Sequence, residues 1–323
     1  IQDLLSTSLN SWIDFKDISK LDIALRHLNK IPKRFEGVKK IQKTFAYCYY
    51  ESLETDKIFK ELTSSTSINY SRYNFFHASY LISKNNKEKA KKIIDSSLKQ
   101  SPQNLMLNQL KSDIEKEKIL NNKFDCKNIA NVIAEVFYVA SNALASQNNY
   151  IASNFYLSLS KYLNPNFISF ETLYAENLFF IQEYEEAMKA YVQIKKKGSF
   201  YSWYASKKIA SILTKQGKKK IAINSLRKSF EKKTHPKIYE IFDYAEFLKN
   251  NEMYNESIEY YSDVLGLIDT KNDLYAQVMD GRGVAYERTD QWDKAEIDLL
   301  NSLSSSPNNA YVINYLAYSW IEK

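Results

Sequence analysis

The sequence predicts an all-α fold, an α-solenoid of antiparallel helix pairs, and three observations carry this prediction. Glycine and proline are scarce, with 6 and 5 residues among 323, whereas all-β folds need many turn residues. The prolines recur at nearly even spacing, and small residues recur in pairs twelve positions apart. Because proline interrupts helices, even spacing indicates a repeating helical unit rather than one large core.

The proline spacing gives the length of the unit. Successive gaps are 70, 63, 71 and 71 residues, each close to twice 34, between the five prolines Pro32, Pro102, Pro165, Pro236 and Pro307. A period of about 34 residues is the length of a helix–turn–helix repeat.

The unit is clearest near the end of the chain, at residues 276–310. Gly283 and Ala295 lie twelve positions apart, one in each predicted helix, and Pro307 closes the unit. Small side chains at these two sites let antiparallel helices approach closely. Tyr286 and Trp292 then fill the space around the contact.

This pattern resembles the tetratricopeptide repeat, which has small residues at unit positions 8 and 20, aromatic residues near 11, 17 and 24, and proline at 32. Five further pairs of small residues lie in phase with it: Ala78 and Ala90, Ser141 and Ser153, Ala175 and Ala187, Ala210 and Ala222, and Ala245 and Ser257. The resemblance implies a tetratricopeptide superhelix, with units starting near 134, 168, 203, 238, 276 and 310.

Three segments are predicted from how well each follows the pattern. Residues 1–104 read as degenerate tetratricopeptide-like units, with Leu21 at a small site, Ile18 at a core site and Ile58 where a small residue is expected. Residues 105–133 read as a shortened or irregular unit, and as a bend between two sub-arrays. Residues 134–323 read as the regular array, whose last unit, from Ala310, is truncated.

The ends of the chain lie inside helical patterns, at Ile1 and Lys323. We therefore expect a segment of a longer protein. The regular array further resembles long bacterial tetratricopeptide proteins of the alphaproteobacterial type, which implies export to the cell envelope and a periplasmic location. The residues themselves identify no compartment, so a cytoplasmic location stays open.

Charge and composition argue against nucleic acid as a partner and against a membrane span in this segment. The net charge of +7 is mild for this length, and only 6 of the 45 basic residues are arginine, the side chain that phosphate and base recognition favours. No apolar run approaches the ~20 residues of a membrane span. Short lysine runs are expected at solvated helix ends, with an acidic partner as the alternative.

No catalytic, cofactor or metal site is predicted. His27, His77 and His235 are too far apart in sequence for a helical metal pair, and His77 falls on a packing position. Cys48 and Cys126 form neither a disulfide framework nor a metal motif. The Gly281–Gly283 pair falls inside a predicted helix, where a phosphate loop is not expected.

Candidate binding residues come from the resemblance, because the first helices of tetratricopeptide units line a concave groove. It assigns to that groove Tyr138, Asn142, Glu176, Phe179, Tyr204, Lys207, Tyr239, Phe242 and Glu246. Aromatic area flanked by charge of both signs is typical of protein interfaces. The family's clamp for acidic C-terminal tails needs Lys and Asn four residues apart, which the pairs Lys207/Ser211 and Tyr138/Asn142 do not supply.

The predicted function is a non-catalytic scaffold for protein–protein interaction that binds a peptide or protein in the groove. The alternative is the helical scaffold of a larger enzyme, such as a cell-wall-acting lyase, whose catalytic domain lies outside this segment. An RNA-binding helical repeat is a third reading, disfavoured by acidic groove positions such as Glu135 and Glu246.

Overall fold

The computed structural model describes residues 2–14, 20–64, 69–117 and 124–322, and in these ranges it forms 18 α-helices and no strand. The chain divides into two compact units, Ile1–Ala205 and Ser206–Lys323, so the boundary falls within one helix. The predicted packing role of Ile18 lies outside the described residues. The division at residues 105 and 133 stays a prediction.

Unit 1 consists of helix pairs preceded by two N-terminal helices. Its helices are α1 (Gln2–Asp14), α2 (Leu21–Leu28), α3 (Glu36–Tyr49), α4 (Thr55–Thr63), α5 (Tyr73–Ser83), α6 (Lys87–Gln100), α7 (Leu105–Glu115), α8 (Ile129–Ala145), α9 (Tyr150–Leu163), α10 (Ile168–Phe180), α11 (Tyr184–Ile194) and the first part of α12 (Ser199–Lys215). The pairs α3/α4, α5/α6, α8/α9 and α10/α11 pack together directly.

Unit 2 continues the same arrangement from the second part of α12. Its further helices are α13 (Lys219–Glu231), α14 (Ile238–Asn250), α15 (Tyr254–Leu265), α16 (Tyr275–Glu287), α17 (Trp292–Ser305) and α18 (Ala310–Glu322). The pairs α14/α15 and α16/α17 are packed, and α18 lies against α17. The predicted all-α solenoid of helix pairs is therefore confirmed.

The same turn recurs between the two helices of a pair. A residue with positive φ follows the first helix, and the next N–H donates to the carbonyl five residues back, as from Asn149 to Leu144 (2.9 Å). This Schellman geometry satisfies carbonyls at the helix end. The positive-φ residues are Glu51, Asn85, Asn148, Gln182, Gly217, Glu252 and Asp290. Glycine is the residue that adopts this conformation without steric cost, and of the seven only Gly217, at φ 76°, is glycine.

The paired small residues lie where the register predicts. Ala78, Ala90, Ala175, Ala187, Ala210, Ala222, Ala245, Ala295, Ser141, Ser153 and Ser257 are all fully buried. Gly283 shows how close the helices are, because a Cβ placed on it would lie 2.9 Å from Leu299 Cγ. The predicted burial of the paired small residues is thus confirmed, and the α16/α17 pair shows the predicted close contact.

An aromatic cluster forms the centre of unit 1. Phe124, which precedes α8, lies 4.6 Å from Phe76, 5.2 Å from Phe45 and 5.5 Å from Phe167, measured between ring centroids. Such edge-on and tilted pairs add to the free energy of simple burial. The cluster joins α3, α5 and the start of α10 through one ring.

Unit 1 departs from a simple solenoid, in which each repeat contacts only its neighbours. Helices α1 and α3 pack against α8, far along the chain. Leu5 of α1 lies among apolar residues of α8, and Trp12 Nε1 donates to Gln42 Oε1 of α3 (2.9 Å). These contacts fix the first helices relative to α8.

A disulfide between Cys48 and Cys126 reinforces the same junction. It joins α3 to the segment before α8, with 5.9 Å between the two Cα atoms and a sequence separation of 78. Cross-links that close long loops stabilise proteins by about 2–4 kcal/mol, chiefly by restricting the unfolded chain. The spacing of the two cysteines carries no framework pattern, so the sequence did not predict this disulfide.

His77 is a core histidine, as its register predicts. Its ring is 1% exposed and stacks on Phe59 at 5.1 Å, and Nε2 lies 2.9 Å from an oxygen of Asp56. Burial lowers the pKa of His77, and the hydrogen bond to Asp56 opposes that shift.

Candidate functional site

A pocket of about 570 Å³ opens on the face of unit 1 that its first helices share. Each of six helices contributes to its lining, namely α3, α5, α7, α8, α10 and α12, through residues that include Ile41, Tyr73, Met106, Tyr138, Ser169 and Tyr201. Volumes between about 300 and 1,000 Å³ are typical of binding sites. Two of the nine predicted groove residues, Tyr138 and Asn142, lie in this lining.

Arg72, immediately before α5, organises the floor of the pocket. Its guanidinium binds both oxygens of Glu135, at 2.7 and 2.8 Å, and also donates to Ser169 Oγ at 2.5 Å. Its Cζ lies 3.7 Å from the centroid of the Tyr138 ring, in a cation–π contact. One side chain thus fixes α5, α8 and α10 around the pocket.

The floor of the pocket holds a largely buried ion pair between Arg72 and Glu135. The Glu135 side chain is 1% exposed and that of Arg72 is 19% exposed. Burial alone would lower the pKa of Arg72, but the Glu135 carboxylate more than offsets it and the pKa rises. Burial also raises the pKa of Tyr73, whose hydroxyl donates to Glu135 at 3.3 Å, and that of Tyr201. Both tyrosine hydroxyls therefore stay neutral at physiological pH.

Three other predicted residues of unit 1, Glu176, Phe179 and Tyr204, lie outside this pocket. Tyr204 of α12 donates to Glu176 of α10 at 2.9 Å. Burial, followed by the nearby Glu176 carboxylate, raises the pKa of Tyr204. Phe179 packs against Tyr184, with 5.9 Å between ring centroids. Glu176 and Tyr204 are therefore hydrogen-bonded to each other.

In unit 2, the predicted groove charges are paired within the chain. Lys207 forms an ion pair with Asp243, and Glu246 accepts from Lys249 at 2.8 Å and from the Tyr261 hydroxyl. These internal bonds reduce what Lys207 and Glu246 can offer to a ligand.

The prediction for Phe242 is corrected by its burial. Only 8% of this residue is exposed, because Tyr261 of α15 covers its ring at a centroid distance of 6.2 Å. It is a packing residue. Tyr239, its neighbour on α14, is half-buried, and its place in a binding groove stays a prediction.

Sequence reasoning missed the arginine at the floor of the pocket and the tyrosines beside it. Arg72 stands just before a predicted first helix, between Tyr70 and Tyr73. Its bonded partners are 63 and 97 residues away. The one available signal was an arginine among aromatic residues in a chain with few arginines.

The described ranges show neither a metal cluster nor a membrane-spanning helix. No group of three His, Cys, Asp or Glu side chains there is placed to hold a metal ion. None of the helices described has both the length and the apolar character needed to cross a membrane.

Comparisons with known proteins give a match only among solved structures. No family model matches the sequence, and neither does any curated protein. The chain is similar to YrrB, a tetratricopeptide protein with an unusual peptide-binding site, at 16% identity and a TM-score of 0.38, covering 64% of this chain and 97% of that one.

Two further structures cover more of this chain. The quorum sensor NprR from B. thuringiensis, in its apo form, is 13% identical with a TM-score of 0.46, covering 89% of this chain and 83% of that one. Yeast Tom70 is 13% identical with a TM-score of 0.45, covering 94% and 58%. With its paired helices, repeated turns and buried small residues, the chain is an all-α solenoid of antiparallel helix pairs.

Proposed function

We propose that the chain is a non-catalytic scaffold for protein–protein interaction, and that the pocket of unit 1 receives a peptide segment of the partner. The observation that carries the proposal is the 570 Å³ pocket on the shared face of the first helices. Its depth suits a few side chains, and its open mouth suits an extended segment or a helix.

The lining supports binding rather than catalysis. Of the described residues that line the pocket, none is His, Cys, Asp, Glu or Lys, the groups that most often act as nucleophiles or general acids and bases. The Ser169 hydroxyl is occupied by Arg72. The partner of the predicted scaffold is accordingly a protein or peptide.

Filling the pocket tests this proposal. Ala143 is exposed and lies in the lining, so Ala143→Trp places an indole in the pocket while leaving the core unchanged. Phage-displayed random peptides of about twelve residues, ~40 Å when extended, would be selected on the wild-type chain. We expect the selected peptides to bind Ala143→Trp at least about tenfold more weakly, a loss of ~1.4 kcal/mol.

The matched control is Ser158→Trp, an exposed position on α9 outside the lining. This variant should bind the selected peptides like the wild type, and both variants should keep the wild-type circular dichroism spectrum and melting temperature. Selected peptides that bind Ala143→Trp as tightly as the wild type would remove this pocket as the binding site.

A further inference from the structure

The walls of the unit 1 pocket are apolar and aromatic. Ile41, Met106 and Val139 supply aliphatic surface, and Tyr138 and Tyr201 supply ring surface. Methionine and tyrosine adapt to bulky apolar partners, the first by its flexibility and the second by its large flat area. The walls thus match an apolar side chain better than a charged one.

The only charged side chain among the described lining residues, Arg72, is already satisfied. It binds both oxygens of Glu135 and the hydroxyl of Ser169, and its Cζ faces the Tyr138 ring. A ligand carboxylate would have to displace a buried partner from this arginine, and a ligand cation would meet a carboxylate that is already paired. Neither sign of charge gains a free counter-charge here.

One buried polar atom of the pocket lacks a partner. Tyr70 lines the pocket and is 3% exposed, and its hydroxyl makes no hydrogen bond within the described residues. A buried hydroxyl left unbonded is unfavourable, so it favours a ligand that brings a donor or an acceptor. At the mouth, the exposed amide of Asn142 offers one donor and one acceptor group.

From these features we infer that the occupant of the unit 1 pocket is an uncharged peptide segment with one bulky apolar side chain. That side chain lies against Tyr138, Tyr201 and Met106, and peptide groups of the segment bond to the Tyr70 hydroxyl and to Asn142. The inference rests on the proposed function and adds the chemical class of the partner.

Defined peptides test this inference. The probes are peptides of about nine residues, acetylated and amidated, with Ser, Gly and Asn around one central Phe, and matched peptides with Asp, Lys or Ala at the centre. Isothermal titration calorimetry on the whole chain gives the affinities. We expect the Phe peptide to bind at least about tenfold more tightly than the other three.

Salt dependence separates apolar from electrostatic binding. The affinity of the Phe peptide should change less than about twofold between ~0.05 and ~0.5 M salt, because no exposed charge takes part. An Asp or Lys peptide that binds more tightly than the Phe peptide would overturn the inference, and so would a Phe peptide that does not bind.

Removing one hydroxyl tests the role of Tyr70. Tyr70→Phe keeps the ring and removes an atom that bonds no described residue, so thermal stability should not fall. The Phe peptide should bind this variant about threefold to tenfold more weakly, which corresponds to one lost hydrogen bond. Tyr162→Phe, at an 85% exposed tyrosine outside the lining, should bind like the wild type.

These outcomes are distinguishable from failure of the proposed function. Peptides from the random library that are charged but still lose binding to Ala143→Trp would overturn the apolar anchor and leave the pocket as the binding site. Unchanged binding of the Phe peptide by Tyr70→Phe would overturn the assigned hydrogen bond.

Discussion

Glu135→Gln is expected to destabilise unit 1 by about 3–5 kcal/mol, the usual cost of removing one partner from a buried ion pair. The side chain is 1% exposed and binds Arg72 through both oxygens. Glutamine fills the same volume but removes the negative charge, so the guanidinium stays buried without a counter-charge. Urea denaturation followed by circular dichroism measures this loss. The midpoint of the unfolding transition of unit 1 should shift to a lower urea concentration.

The double variant Arg72→Met/Glu135→Leu separates charge from packing. Replacing both members of a buried pair with apolar residues of similar size is often neutral, so this variant should recover at least half of the loss. Asp3→Asn is the matched control, because Asp3 and Arg34 form an ion pair with side chains 72% and 63% exposed, and exposed pairs contribute little. A midpoint for Glu135→Gln equal to that of the wild type would contradict the role given to Arg72.

Ala222→Leu is expected to destabilise unit 2 by about 1–3 kcal/mol through overpacking. Ala222 of α13 and its partner Ala210 are both fully buried. In the α16/α17 pair, a single Cβ added at Gly283 would come within 2.9 Å of a leucine side chain. Three further carbon atoms at the corresponding contact would force the two helices apart.

Thermal melting measures this second effect. Ala187→Leu in unit 1 should behave like Ala222→Leu, because Ala187 is equally buried. Ala317→Leu is the control, since Ala317 is exposed on α18 and its substitution should leave the melting temperature nearly unchanged. If the variants at the buried alanines have the same melting temperature as the variant at Ala317, the register of the repeat is misassigned.

The fold follows from the sequence because its determinants are local and periodic. Pairs such as Ala175 and Ala187, twelve residues apart, identify a helix contact wherever they recur, and both are fully buried. Each repeat packs mainly on its neighbouring repeats, so one recognised period predicts most of the architecture.

The pocket follows only in part, because its floor depends on long-range contacts. The register placed Tyr138 and Asn142 on the shared face of the first helices, and both line the pocket. It placed Glu135 at an acidic groove position but did not predict that this carboxylate would pair with Arg72, 63 residues away. Phe242 was misassigned because a position within a unit does not show which neighbouring side chain covers it.

The repeat pattern also did not predict the contacts of α1 and α3 with α8. It did not predict the Cys48–Cys126 disulfide either. A period of about 34 residues describes contacts between neighbouring repeats. The contacts with α8 and the disulfide instead join repeats of unit 1 that are distant in sequence. They join residues far apart in sequence, for which the sequence has no periodic signal.

Photo-crosslinking from Asn142 tests the central claim most directly. A benzoylphenylalanine at this exposed pocket position would be irradiated with a peptide selected from the random library, and the adduct located by mass spectrometry. The same group at Ser158, on the exposed face of α9, is the reference. Binding in the unit 1 pocket predicts an adduct from position 142 and none from position 158, whereas equal adducts, or an adduct from position 158 alone, would contradict it.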